Sequence, residues 1–197
     1  MEPVTKEFVD PEIGDLLLEV GSDKELYLVS SHALAMSSSV WPHWLKGVPP
    51  RKPGSPIGPL ELHDDEPEAF TIILNIVHHR LVEIPRAPLP RECLLSLAAS
   101  ATRHGIRELL HNWAPVWLAG CMRDWAFKES AETLWIASVL GSNLLQQSAA
   151  EFLVRWCRAD DAGQLVDEKG TPLKDVLRKE AEGILGESDL PRRASRV

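Results

Sequence analysis

The chain has 197 residues, a formal net charge of −8 and a sequence pI near 5.4. Hydrophobic residues make up 44% and charged residues 25%, a balance typical of a folded globular protein rather than a disordered one. The acidic surplus argues against a general nucleic-acid binder, because neutralising phosphates needs an excess of Lys and Arg. The length is enough for one sizeable core, with or without an extension.

Cysteine usage and hydropathy indicate the compartment. The cysteines Cys93, Cys121 and Cys157 lie far apart and form no CxxC pair, which is typical of thiols in a reducing compartment. Residues 1–10 lack the basic start and apolar centre of a signal peptide, and no apolar run is long enough to span a bilayer. We therefore expect a cytoplasmic or nuclear protein without a membrane partner.

The first elements in chain order are a predicted β-hairpin and a helix. Apolar residues alternate over 16–20, turn formers occupy 21–24, and a second apolar run covers 26–29. Ser30 and Ser31 can cap a following helix, which would carry Leu34, Met36, Val40 and Trp41.

The middle of the chain predicts a loop, two short strands and two helices. Residues 48–59 contain five prolines and favour an extended loop, followed by a strand over 60–62. The acidic residues 64–66 before Pro67 predict a helix start, since carboxylates suit the positive end of the helix dipole. A short strand is predicted at 81–84, and a helix over 91–103 that ends at Gly105.

The remainder predicts helices. One runs from Ile106 to Trp117 with a kink at Pro115, and two more cover 129–140 and 143–158. A polar loop over 160–170 precedes a last helix that begins at Thr171. The final residues, 191–197, are basic and predicted to be frayed.

Three segments together resemble the BTB/POZ domain, in the divergent form found in fungal proteins. They are 14–20 with its leading Asp15, 29–41 with its Leu, Ser and aromatic spacing, and 60–78 with its acidic turn, proline and F-x-x-x-L helix. The resemblance implies an α+β fold over residues 10–120, in which helical hairpins flank a short mixed sheet. An all-helical extension over 121–190 and a basic flexible tail over 191–197 would follow.

The resemblance also implies a function, namely protein–protein interaction by self-association or by scaffolding a partner. Two departures bear on it. Many animal members carry a basic residue where this chain has Ser31, so Asp15 lacks the family's ionic partner at the dimer interface. Adaptors that recruit a cullin usually carry an apolar-x-Glu element, which residues 44–47 lack. The alternative function is a substrate adaptor of a cullin-based ubiquitin ligase with a cullin as the partner, and the missing Glu counts against it.

The predicted interaction face lies on the helices after the hairpin, where Trp residues could form an interface hot spot. Its members, together with Asp15, are Leu34, Met36, Val40, Trp41, Trp44 and Leu45. The competing interpretation is that Trp41 and Trp44 pack beneath the proline-rich loop. Trp113 and Trp117 have core spacing, and the last three tryptophans would join the C-terminal helices to the domain.

The sequence carries no motif for catalysis or for a cofactor. Gly-rich phosphate loops, nucleophile elbows and the H-E-x-x-H pattern are absent from it. The neighbours His78 and His79 would point about 100° apart on a helix, so no metal site is predicted. We expect a non-enzyme; a small hydrolase of unrecognised type is the remote alternative. Arg192, Arg193 and Ser195 resemble a site recognised by a basophilic kinase, where phosphorylation would release or dock the tail. The favoured interpretation is a solvated terminus, because short motifs of this kind arise often by chance.

Overall fold

A four-stranded mixed sheet organises the N-terminal part of the chain. The computed structural model describes residues 6–46, 56–121, 131–156 and 158–166. The sheet has the order β1-β3-β2-β4; its strands are β1 (Lys6–Glu7), β2 (Leu16–Val20), β3 (Glu25–Val29) and β4 (Ile57–Leu62). Strands β2 and β3 form an antiparallel hairpin, whereas β1 pairs parallel to β3 and β4 pairs parallel to β2.

The hairpin forms where the alternation predicted it. Leu16, Leu18 and Val20 are fully buried, and Leu18 lies opposite Tyr27 across the ladder. The turn between the strands needs left-handed backbone at Gly21, whose φ is +74°. Strand β4 begins earlier than predicted, so the expected loop is wrong at 57–59, and residues 47–55 lie outside the described residues. Because β4 is an edge strand, it accommodates a proline.

The predicted helix after the hairpin is in fact two helices. Helix α1 (Ser31–Ser37) ends where Ser38 becomes extended, and helix α2 (Trp41–Leu45) starts afresh. The Ser38 hydroxyl accepts a hydrogen bond from the N–H of Val40, at 3.0 Å, which stabilises the break. Pro42 lies in the first turn of α2, where its missing N–H costs nothing.

The next two helices form the layer that covers the sheet. Helix α3 (Pro67–Val77) begins as predicted, with the Glu66 carboxylate accepting from the N–H groups of the first turn. Helix α4 (Arg91–Arg103) also has its predicted bounds and ends before Gly105, whose φ is +65°. Together with the sheet, α3 and α4 enclose most of the hydrophobic core.

Two predictions in this region are wrong. Residues 81–84 form turns instead of a strand, because the N–H of Arg80 returns to the carbonyl of Asn75 and redirects the chain. The predicted helix over 106–117 is split into α5 (Arg107–Leu110) and α6 (Ala114–Trp117). Pro115 lies in the first turn of α6, so the proline starts a helix rather than kinking one.

The C-terminal part packs as a helical pair with a small hairpin. Helices α7 (Ala131–Val139) and α8 (Asn143–Trp156) contact one another, and α7 also packs on α4. Strands β5 (Arg158–Ala159) and β6 (Leu165–Val166) then form an antiparallel hairpin, so the expectation of an all-helical extension is wrong here. Asp160 explains the turn, because its carboxylate accepts from two backbone N–H groups within it. The predicted helix from Thr171, the tail over 191–197, Trp125 and Ser195 lie outside the described residues.

Candidate functional site

The start of helix α1 is held by two side chains from other elements. Both the N–H and the hydroxyl of Ser31 donate to the Asp15 carboxylate, at 2.7 and 2.6 Å. The N–H of Ser30 donates to Nε2 of His78, at 3.0 Å, and Nδ1 of that ring lies 2.9 Å from the carbonyl of Leu74. Asp15 thus finds in Ser31 an uncharged partner from its own chain, and α1 is joined to both β2 and α3.

The charge state of His78 follows from this geometry. Burial lowers the pKa of His78 below its usual value, and it outweighs the opposing hydrogen bond to the Leu74 carbonyl. The nearby Arg80 and His79 lower this pKa further. The ring is therefore neutral at pH 7, with its proton on Nδ1, which leaves Nε2 free to accept from Ser30.

An apolar groove of about 500 Å³ opens beside α1. We define the apolar groove by the side chains of Ile13, Ala33, Met36, Ile76 and Leu109, with His32, His78 and His79 also lining it. Met36 is 76% exposed, Ile13 65% and Leu109 36%. Large apolar side chains grouped around one concave surface are typical of an interaction site, whereas single exposed ones are common everywhere.

The structure corrects the predicted interaction face. Leu34 and Trp41 are fully buried, so the expectation that they lie on an exposed face is wrong. Trp44 and Leu45 are half-buried and pack against the core, and Val40 is also half-buried. Of the six residues on the predicted face, only Met36 lies fully exposed in the apolar groove. The break between α1 and α2 is the reason, because it turns Trp41 inward.

Trp41 belongs to a closed aromatic and polar cluster beneath α2. Its ring stacks on His104 with centroids 4.7 Å apart, and Phe70 and Trp44 contact the same imidazole from other sides. Nε2 of His104 lies 2.8 Å from one oxygen of Asp65. The other oxygen accepts from the hydroxyl of Ser100, at 2.5 Å, and from the Arg103 guanidinium, at 2.7 Å. We call Asp65, Ser100, Arg103 and His104 the closed polar cluster.

The cluster holds a charge inside the protein. Burial by itself would raise the pKa of Asp65, but the hydrogen bonds from His104 and Ser100 and the charge of Arg103 hold it below its usual value. The carboxylate is therefore ionised at neutral pH although only 2% of Asp65 is exposed. It connects the start of α3 to the end of α4.

The order of groups in this cluster bears on the hydrolase alternative. A serine nucleophile needs histidine between its hydroxyl and the carboxylate, so that the imidazole can take the hydroxyl proton. Here Asp65 lies between Ser100 and His104, and both of those residues are buried. This Ser, Asp and His set therefore has the geometry of a structural contact. Among the described residues, no three His, Cys, Asp or Glu side chains are placed to hold a metal ion.

Of the five apolar side chains that define the apolar groove, sequence reasoning found only Met36 and missed Ile13, Ala33, Ile76 and Leu109. Ile13 is an isolated apolar residue in a polar stretch, and it gives no periodic signal. Ile76 and Leu109 lie in segments predicted to be helical, where periodicity does not separate a buried position from one that lines a groove. Pro115 was the available signal, because a proline in the first turn of a helix places a break before it and so separates Leu109 from Trp117.

Comparisons with known proteins add no family to these findings. A scan against protein-family models finds no matching family, and a search of the curated proteins finds no matching sequence. Within the described ranges, no helix has both the length and the apolar character that a membrane crossing requires.

Proposed function

We propose that this chain is a non-catalytic protein–protein interaction module of the BTB/POZ type, which associates with a second copy of itself. The observation that carries the proposal is the apolar groove, where Ile13, Met36 and Leu109 expose large apolar surface around one concavity. Burying such surface is favourable by roughly 25 cal/mol per Å² before the costs of association.

The arrangement of elements supports the BTB/POZ assignment. A hairpin, a pair of short helices, a strand parallel to the first hairpin strand and then two long helices follow one another in the described residues. This order is compatible with the α+β architecture of short mixed sheet and helical hairpins that the resemblance implies, and it supports the proposal. The elements lie at 16–103, inside the range of 10–120 over which the residues resemble the family.

The fixed position of α1 supports the groove as a binding surface. Because Asp15 and His78 hold the start of the helix, Met36 projects from a rigid element. A preorganised surface loses less conformational entropy on binding than a mobile one. Since Ser31 already satisfies the Asp15 carboxylate, association through this face needs no basic residue from the partner.

The test is the oligomeric state of the full chain and of two matched variants. Met36→Asp places a charge in the groove, and Val82→Asp places the same charge at an 87% exposed position outside it. In light scattering after size exclusion, we expect a dimer for the native chain and for Val82→Asp, and a monomer for Met36→Asp. A native chain that is monomeric at high micromolar concentration would contradict the proposal, and so would a dimer that Met36→Asp leaves intact.

A further inference from the structure

A second concavity, which we call the acidic groove, lies between β1, the β2–β3 turn and α3. It has a volume of about 630 Å³ and continues into a smaller depression of about 230 Å³. Both are lined by Lys6, Thr71, Asn75 and Glu83, so the two form one continuous surface. No residue of the apolar groove lines it.

The acidic groove has a strongly uneven charge. Its main part carries one basic residue, Lys6, and five carboxylates, namely Asp23, Glu25, Glu66, Glu68 and Glu83. The smaller depression adds Arg80 and Glu7, so the carboxylates of the whole surface still outnumber its two basic residues. Lys6 is already engaged, since its Nζ lies 3.4 Å from Glu25 and 3.1 Å from both the Tyr27 and Thr71 hydroxyls.

Two of the five carboxylates are already occupied. Glu25 pairs with the Lys6 ammonium, and Glu66 accepts from the N–H groups at the start of α3. Asp23, Glu68 and Glu83 are exposed and form no ion pair within the part of the chain that the structure describes. The groove therefore presents uncompensated negative charge, which favours a cationic ligand.

Asn75 supplies an independent indication of a ligand. It lies on α3, is only 5% exposed and lines both parts of the groove. Its side-chain amide makes no hydrogen bond to any described residue, yet its polar atoms are not fully enclosed. The amide therefore opens into the acidic groove. A buried amide of this kind normally has a hydrogen-bond partner, so the site is incomplete without one.

The form of the groove indicates which kind of cation fits. Since its carboxylates do not converge on one point, a single metal ion would not satisfy them. They are instead distributed along a groove, which suits an extended chain with several positive groups. Arginine is the best match, because its planar guanidinium donates in pairs to a carboxylate and also to an amide oxygen.

We propose that the acidic groove binds an arginine-bearing segment of this same chain, residues 191–197. This segment carries Arg192, Arg193 and Arg196 around Ser195, and its charge is complementary to the groove. About 25 residues separate Arg192 from Val166, and even with the helix predicted from Thr171 counted at 1.5 Å per residue this tether reaches roughly 45 Å, about the diameter expected of a domain of this size. Phosphorylation of Ser195 adds about −1.5 to −2 charge and weakens this binding.

The experiment uses a labelled synthetic peptide with the sequence of residues 190–197 and measures fluorescence anisotropy at low salt. The acceptor is the full chain with Arg192, Arg193 and Arg196 all changed to Ala, so that its own segment does not compete. We expect saturable binding that weakens as salt is added. Changing Glu68→Gln and Glu83→Gln together lowers the affinity about fivefold or more, because two charge contacts are lost.

A matched control carries Glu61→Gln and Glu108→Gln, which change the net charge equally at exposed positions outside the groove. We expect this control to bind the peptide within about twofold of its parent, and the phosphoserine peptide to bind more weakly. Absence of saturable binding would overturn the proposal, as would an equal loss in the control. The native chain must bind the labelled peptide more weakly than the acceptor with the three Ala substitutions. Equal binding would show that its own segment does not occupy the groove and would overturn the assignment of the occupant.

Discussion

Beneath α2, four polar side chains are buried in the protein, whereas beside α1 three large apolar side chains are exposed to solvent. The first group, the closed polar cluster, is centred on Asp65, whose two oxygens have three partners from α4 and the residue that follows it. The second group, in the apolar groove, has solvent on its open side. Both depart from the usual distribution of residues between core and surface.

The difference shows how structural residues and binding residues can be separated. A charge inside a protein is tolerated when its partners come from the same chain, and both oxygens of the Asp65 carboxylate have such partners. Covering exposed apolar surface removes it from water and so lowers the free energy. The apolar groove is therefore the surface that a partner would stabilise, and three predictions test this comparison.

The largest expected effect is on the closed polar cluster. Asp65→Ala leaves Arg103 and His104 buried without their carboxylate, and we expect a loss of about 3–5 kcal/mol in the free energy of unfolding. The measurement is urea denaturation at pH 7. The control is Asp64→Ala, since that neighbour is exposed and a change within about 0.5 kcal/mol is expected. Equal losses in the two variants would mean that Asp65 is not the organising group.

Two residues of one short helix sharpen the comparison further. Leu34 is fully buried and Met36 is 76% exposed, although both lie on α1. Leu34→Ala should lower the free energy of unfolding by about 2–5 kcal/mol, because a cavity forms in the core. Met36→Ala should change it by no more than about 0.5 kcal/mol, provided that the two proteins are compared at the same oligomeric state. Comparable losses at both positions would refute the orientation described for α1.

The smallest effect is a dependence of stability on pH through His78. Since the pKa of His78 is lowered in the folded protein, the unfolded chain takes up its proton first. The contribution of His78 to the free energy of unfolding is therefore complete above its unfolded-state pKa of about 6.5. This contribution is lost as the pH falls from there towards the lower pKa of the folded state. Denaturation curves at pH 7.5 and pH 5.5 measure the decline.

The matched variants for this pH effect are His78→Gln and His79→Gln. The first removes the ring that accepts from Ser30, and the decline between the two pH values should become shallower. The second changes an exposed neighbour with the same titrating group and should retain most of the decline. If both variants lose as much stability between pH 7.5 and pH 5.5 as the native chain does, the loss comes from groups other than His78, including carboxylates that titrate at lower pH.

Much of the fold follows from local signals in the sequence. Alternation at 16–20 specifies β2, Pro67 after three acidic residues starts α3, and Gly105 ends α4. Each of these signals acts over a few residues, through strand periodicity, dipole and capping, or the freedom of glycine. They do not report on partners far away in the chain, which is why the short strand β1 and the hairpin of β5 and β6 were not predicted.

The sequence by itself determined the acidic charge and the main strands and helices. It also predicted that Met36 belongs to the candidate surface. Only the tertiary structure decided that Trp41 is buried against His104, that Asp65 serves α4 as well as the start of α3, and that Ile13 and Leu109 lie beside Met36. The physical reason is that burial and hydrogen-bond partnership depend here on contacts between segments 23 or more residues apart. Periodicity and capping depend only on neighbours within a few turns.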